Sequence, residues 1–288
     1  MNIFINILLF CIILFFYIHI YNHIKTSDYL EVYEIDSPSK EKLEELCELK
    51  QPLLIKNMDI LDYNIDKKFL LENYGSFDLK IRSNEKNDIY LPIKLNKFME
   101  LIDKDISGTY ISENNNDFLI ETTLQKNLQL NDELFRPYTI FYKDNDIIIG
   151  SVNASTKLGY SIDSRNIIYL QSGSIEIMLC PPKNYKYLHV VNNYEDLDFF
   201  SSIDINAIDD KYREDFDKIK FLKIVLTPGN IFYIPPHWFY SIKILEPETI
   251  VFRNKYRTFI GNIAILPELF LKFLQSNNLK INFSKIIK

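Results

Sequence analysis

Four histidines occur in this chain of 288 residues, at positions 19, 23, 189 and 237, and they bound the metal chemistry it can do. His19 and His23 lie in or beside an apolar N-terminal run, which leaves His189 and His237 for the remainder. Neither of these two, in His189-Val190-Val191 and His237-Trp238-Phe239, is followed two residues later by Asp or Glu. Cys11, Cys47 and Cys180 lack the spacing of a zinc site or of a disulfide framework. The sequence holds no G-x-G-x-x-G, Walker A, H-E-x-x-H or G-x-S-x-G pattern. Ser155-Thr156 has no histidine at a spacing that would activate a nucleophile, and reads as a pair of strand-end hydroxyls.

The elements that position these residues fall into four stretches. Residues 3–21 carry no charge and are long enough to cross a hydrocarbon core as a helix. Met1-Asn2 offers no basic group and the residues around Tyr21 are too bulky for a cleavage site, so residues 1–24 read as an uncleaved single-pass membrane anchor. Residues 25–110 read as mixed α/β. Leu30 to Ile35 alternates as a strand, Ser37-Pro38 supplies an N-cap and N1 proline for a helix carrying Leu43, Leu46 and Cys47, and Pro52 to Lys56 forms a short strand. Asp66 to Tyr74 is a helix that Gly75 stops at C′, Phe77 to Ile81 alternates again, and Leu95, Phe98, Met99 and Ile102 mark a further helix.

Residues 111–258 change character, with short strands separated by turn residues. Asn166 to Leu170 and Ser174 to Cys180 pair through Gln171-Ser172-Gly173, and a polar run from Lys183 to Lys220 separates them from the next strand, at Phe221 to Leu226. Three more strands follow, at Ile231 to Ile234, Trp238 to Leu245 and Thr249 to Tyr256. Residues 259–288 form a helical tail opened by Pro267, in which Leu269, Phe270 and Phe273 would serve either the core or a homodimer contact. A formal charge of −6 and a pI near 5.4 speak against a phosphate-binding surface, so no nucleic-acid partner is expected. The excess of Tyr (19) and Phe (21) over Gly (7) belongs to a bias toward residues with AT-rich codons, which points to a genome such as that of a large DNA virus or a protist.

Three runs in order carry a resemblance. Gln51-Pro52-Leu53-Leu54-Ile55 with Glu72-Asn73-Tyr74-Gly75 comes first. Asn166 follows, with Gly173 seven residues on and Pro181-Pro182 eight beyond it. The third is Pro228-Gly229-Asn230 with Ile234-Pro235-Pro236 and Trp238-Phe239. Together they make residues 29–274 similar to the JmjC-like cupin family, the cupin-like domain of asparaginyl hydroxylases. The resemblance implies a mainly β fold with flanking helices, an eight-stranded double-stranded β-helix or jelly roll.

Active members of that family hold Fe(II) with a His-x-Asp pair and a distant His, and hold 2-oxoglutarate with a lysine. Counting back from Asn166, the pair falls on Tyr160 and Ile162; counting forward from Pro236, the distant His falls on Tyr240; the lysine position is Ile175. None of the four matches, and a phenol with a pKa near 10 is a poor iron ligand at neutral pH. The expectation is a membrane-anchored pseudoenzyme without cofactor, binding a protein or peptide partner, with Tyr160 and Tyr240 filling the space of the iron. Thr156, Asn166, His237 and Trp238 are the cleft candidates, His237 as a rim residue and Asp163 as a solvated turn acid. The alternative is an Fe(II) and 2-oxoglutarate dependent protein hydroxylase or demethylase whose site is altered.

Overall fold

The computed structural model describes residues 3–58, 65–83, 90–127, 132–194 and 197–286. Its first element, α1 (Ile3–Ile24), is exposed along nearly its whole length and is long and apolar enough to cross a membrane. A signal sequence would have the same length and composition. Next come β1 (Tyr33–Asp36), α2 (Lys40–Glu48), β2 (Leu53–Lys56), α3 (Lys67–Tyr74), β3 (Asp78–Ser83), β4 (Leu91–Lys94), α4 (Leu95–Lys104) and β5 (Tyr110–Ser112). Three short helices, α5 (Asn116–Glu121), α6 (Leu124–Asn127) and α7 (Asp132–Phe135), lead into the strand-rich half.

That half begins with β6 (Ile140–Gly150), β7 (Gly159–Ser161), β8 (Arg165–Ser172) and β9 (Ile175–Cys180). After β10 (Val190–Val191), β11 (Asp198–Ser201) and α8 (Asp210–Phe216) it continues with β12 (Leu222–Leu226), β13 (Ile231–Ile234), β14 (Phe239–Ile244) and β15 (Ile250–Thr258). Two helices, α9 (Phe259–Ala264) and α10 (Leu266–Ile286), complete the described chain. The strands form a nine-stranded sheet, β1-β2-β13-β8-β15-β6-β5-β3-β4, and a six-stranded one, β10-β11-β7-β14-β9-β12. Within them β13-β8-β15-β6 faces β7-β14-β9-β12, and the chain passes back and forth between the two quartets as a double-stranded β-helix does.

Side-chain alternation sorts the core into layers. Between the sheets lie Ile148, Ile168, Phe232, Ile234 and Val251 from one quartet and Ile175, Ile177, Leu179, Tyr240 and Ile242 from the other. The opposite face of the nine-stranded sheet carries Ile147, Ile167, Tyr169, Tyr233 and Phe252, which pack under the N-terminal helices through Leu43, Leu70, Phe98 and Phe118. Each large side chain buried this fully contributes about 1.5–3 kcal/mol relative to exposure, so the mixed N-terminal stretch and the barrel stabilise one another.

Local details differ from the sequence expectation in three places. The N-cap of α2 is Ser39, whose hydroxyl accepts from Lys42 N at 3.3 Å; Ser37 instead takes φ 38° and donates to Asn57 O at 2.8 Å. Gly75 is not left-handed, since its φ is −56°. Its lack of a side chain is needed because a Cβ would stand 2.7 Å from Leu71 O. The run from Lys183 to Lys220 is more than a connection: it supplies β10, β11 and α8, and β11 joins the six-stranded sheet beside β7.

Candidate functional site

The mouth of the barrel is built from the ends of β7, β14 and β15 and the middle of β6. On β15 the apolar Val251 faces the space between the sheets, so Arg253, Lys255 and Arg257 face it too, all at most 7 % exposed. Their partners come from opposite strands. Asp146, across the register from Arg253, accepts from Arg253 Nη2 at 2.7 Å. Arg253 Nη1 donates to Tyr240 Oη at 3.0 Å, and Nη2 also reaches Asn114 Oδ1 at 3.0 Å. Beside this group Arg82 Nε donates to Glu113 Oε1 at 3.1 Å, and Tyr90 Oη donates to the same carboxylate. Burial raises the Tyr90 phenol, with the Glu113 charge adding to it, so that side chain stays a neutral donor. Charges this buried are tolerated because each is paired and hydrogen-bonded.

Tyr240 pairs across the strands with Gly159, so the inward positions around β7 are the odd ones, Gly159, Ser161 and Asp163. Asp163, expected as a solvated acid, is only 4 % exposed; it accepts from Arg257 Nη2 at 2.6 Å and from Ser161 Oγ at 2.6 Å. The even positions turn outward, which corrects the expectation that Tyr160 fills the barrel. Tyr160 stacks on Phe199 at 5.1 Å between ring centres and meets Phe239 edge-on at 4.8 Å, on the outer face of the six-stranded sheet. Burial pushes its phenol up, with Tyr185 and Tyr194 adding to the effect. Ile162 joins the same outer layer with Leu197, Phe199 and Ile265. A one-residue change of register moves a strand's side chains to the other face, and in this structure Tyr160 and Ile162 lie on the outer one.

The inward place opposite Tyr240 is filled from elsewhere. A Cβ on Gly159 would lie 2.6 Å from Phe200 Cδ1 and 2.7 Å from Phe199 O, so the Phe200 ring of β11 occupies the room a side chain there would need. Glu113, Asn114, Thr156, Lys157, Gly159, Tyr160, Phe200, Tyr240 and Arg253 line the cavity that remains, which has room for about one water molecule, so Tyr160 still reaches its edge. Composition gave no sign of Phe200 or Arg253 as site residues. The alternation of basic residues along Arg253-Asn254-Lys255-Tyr256-Arg257 was the available signal, because three cations on one face of a central strand need buried partners.

The other candidates divide between structure and cleft. Thr156 Oγ1 accepts from Ile242 N at 2.9 Å and its carbonyl accepts from Ser241 Oγ at 2.6 Å, so it ties the β7 approach to β14. Ile175 is wholly buried in the apolar layer between the sheets, paired across the strands with Ile244 and Leu226. Asn166 faces the same interior, 2 % exposed, and neither its Oδ1 nor its Nδ2 has a hydrogen-bond partner; the Trp238 indole N–H is likewise buried and unpartnered. His237 lies at the rim with φ 65°, its ring 5.8 Å from that of Tyr160, and burial together with Lys50 lowers its pKa to about 4. His189 is on the surface, its Nε2 2.9 Å from Asp215 Oδ2. Among the described residues no three His, Cys, Asp or Glu side chains gather as a metal-binding group.

A family model described as "Cupin-like domain" matches residues 38–261. HSPB1-associated protein 1 of Rattus norvegicus is 27 % identical over 109 residues, 38 % of this chain and 23 % of the relative. The Homo sapiens protein of that name is 26 % identical over 109 residues, and the Danio rerio homolog 23 %. The match thus spans about a quarter of the length of these curated relatives.

Proposed function

The chain belongs to the cupin-like domain family, and from that premise we propose that it is a non-catalytic member which acts by binding a protein partner at a membrane. The observation that carries the reading is the Arg253–Tyr240 contact. Where the family's distant metal ligand would stand, this chain has a phenol that accepts from a buried guanidinium, and that guanidinium is neutralised by Asp146. A second cation in this place would meet Arg253 at close range. The inward neighbours are Gly159, without a side chain, and Ser161, whose hydroxyl is engaged with Asp163. Those residues do not fit an iron(II) centre. Nor do Ile175 and its neighbours Ile244 and Leu226 fit the anionic end of 2-oxoglutarate, which calls for a cation or several polar donors.

Association with a partner is the activity that the relatives' name, HSPB1-associated, records for those proteins. α1 supplies the membrane part of the reading, as an anchor that holds the domain at one surface. The test uses the full chain, purified in detergent after expression with iron in excess. Elemental analysis is expected to give far less than one iron per chain, with no succinate formed from 2-oxoglutarate. Stoichiometric iron, or turnover of 2-oxoglutarate, would end the proposal.

A further inference from the structure

The last turns of α1 do not hang free of the domain. α1 packs against α9, and His23, 7 % exposed, lies so close that a Cβ on Gly261 would be 3.0 Å from His23 Cε1. Phe16 and Ile20, on the same helical face as His23, are the other shielded positions in the second half of the helix. The contact with α9 that buries a side chain is thus at the last turn, at His23.

Length then fixes where the domain sits. A helix of 22 residues is about 33 Å long, close to the roughly 30 Å of a hydrocarbon core. A spanning α1 therefore brings its last turn, and α9 beside it, to one boundary of that core. The part of the domain around α9 must reach the apolar layer or its immediate boundary. Its surface there has the matching chemistry. Phe141 at the start of β6 and Phe259 at the start of α9 are 65 % and 55 % exposed, with ring centres 6.2 Å apart. Leu266, Phe270 and Phe273 on α10 are 56 to 60 % exposed, on the helix that continues directly from α9. Aromatic rings with cations beside them are the side chains that favour the headgroup layer, and Lys40 stands over the exposed Tyr138 ring at 5.1 Å.

We propose that this patch, Phe141, Phe259, Leu266, Phe270 and Phe273, is seated in the surface of the bilayer that α1 crosses, so that the domain is held by two contacts in one fixed orientation. The proposal rests on reading α1 as a membrane anchor, and the experiment separates the two. The full chain is reconstituted in nanodiscs of phosphatidylcholine and phosphatidylserine, with an environment-sensitive fluorophore on one cysteine at a time. Native Cys11 reports the anchor; Phe270→Cys and Phe141→Cys, each in a Cys11→Ala background, report the patch; Lys223→Cys on the far edge strand β12 is the control. Cys47 and Cys180 are buried. Expected are loss of emission at 11 with nitroxide placed deep in the acyl chains, loss at 270 and 141 with nitroxide near the headgroups, and no loss at 223. Quenching at 11 without quenching at 270 and 141 overturns the surface contact and leaves the anchor standing. Absence of quenching at 11 removes the anchor and the proposal with it. A blue-shifted but unquenched label at 270, varying with protein concentration, assigns the patch to a second copy and also overturns the proposal.

Discussion

Arg253 Nη1 donates to Tyr240 Oη at 3.0 Å across the gap between the two sheets, and this contact joins the last barrel strand to the strand that defines the mouth. The same guanidinium binds Asp146 at 2.7 Å. Replacing Arg253 by Met leaves the buried Asp146 charge without its counter-ion, held only by the Asn114 and Asn115 N–H groups, and should lower the free energy of unfolding by about 3 kcal/mol. Arg253→Met with Asp146→Asn should recover part of that loss, the remainder persisting because Asn114 N and Asn115 N each donate to one oxygen of Asp146 and an amide can accept only one of them; Tyr240→Phe alone should cost only about 1 kcal/mol. Urea unfolding of the four proteins checks the ordering; equal losses in the single and double variants would show that the pair is not the source.

Gly159 tests the packing of Phe200. Gly159→Ala puts a methyl where Phe200 Cδ1 and Phe199 O already stand, and should destabilise by about 1–3 kcal/mol through overpacking. Adding Phe200→Leu should relieve the part owed to the ring and leave the part owed to the backbone carbonyl. Thermal melts that show no partial rescue would place the strain elsewhere.

Asn166 gives a prediction of opposite sign. Its side chain is buried with both polar atoms unpartnered, a state that costs roughly 1–3 kcal/mol per group unless water supplies the bonds. Asn166→Leu, of similar volume, should be neutral or stabilising by melting temperature. A loss of several degrees would mean that Asn166 holds a buried water or a small polar ligand.

The pH dependence of stability combines two opposed groups. His237 is held neutral, its pKa lowered to about 4 by burial and by Lys50, so its contribution is intact above about pH 6.5 and is lost as the pH falls toward 4. Asp144 has its pKa raised to about 6 by burial, with Asp146 and Asp163 adding and Lys255 and Arg253 opposing. Its cost is absent below about 3.8 and complete above about 6. Asp144→Asn should therefore stabilise at pH 8 by on the order of 2 kcal/mol and change little at pH 3.5. His237→Asn, which suits the left-handed backbone at that position, should reduce the acid loss. Denaturant midpoints at pH 4, 6 and 8 decide it; identical pH profiles for wild type and both variants would refute the assignment.

The barrel was legible because its signals are local. Gly173 has φ 74° in the β8–β9 turn and Gly229 has φ 84° before β13, conformations in which glycine is at ease, and the strands between them alternate with period two. The facing of β7 was not legible, because three residues cannot fix their own orientation. Pairing with Tyr240 on one side and with Phe199 and Phe200 on the other decides which side chains turn inward. The positions that β7 turns inward are Gly159 and Ser161, whereas Tyr160 and Ile162, counted from Asn166, turn outward. Phe200 escaped notice for a related reason: its strand lies in a run rich in Asn, Asp and Glu, and only long-range pairing brings it over the mouth.

The place of β15 in the nine-stranded sheet has a consequence for biosynthesis. It is the last strand of the barrel to be made, yet it lies in the middle, between β8 and β6, with β13 and β2 on one flank and β5, β3 and β4 on the other. Until residues 250–258 have left the ribosome the two halves of that sheet have nothing to join them, and the buried carboxylate of Asp146 has no Arg253 to meet. Folding by such non-local pairing is slow and leaves strand edges open while it waits. The apolar α1, by contrast, precedes every barrel strand in the chain, so the protein has its greasy segment to dispose of well before it can fold.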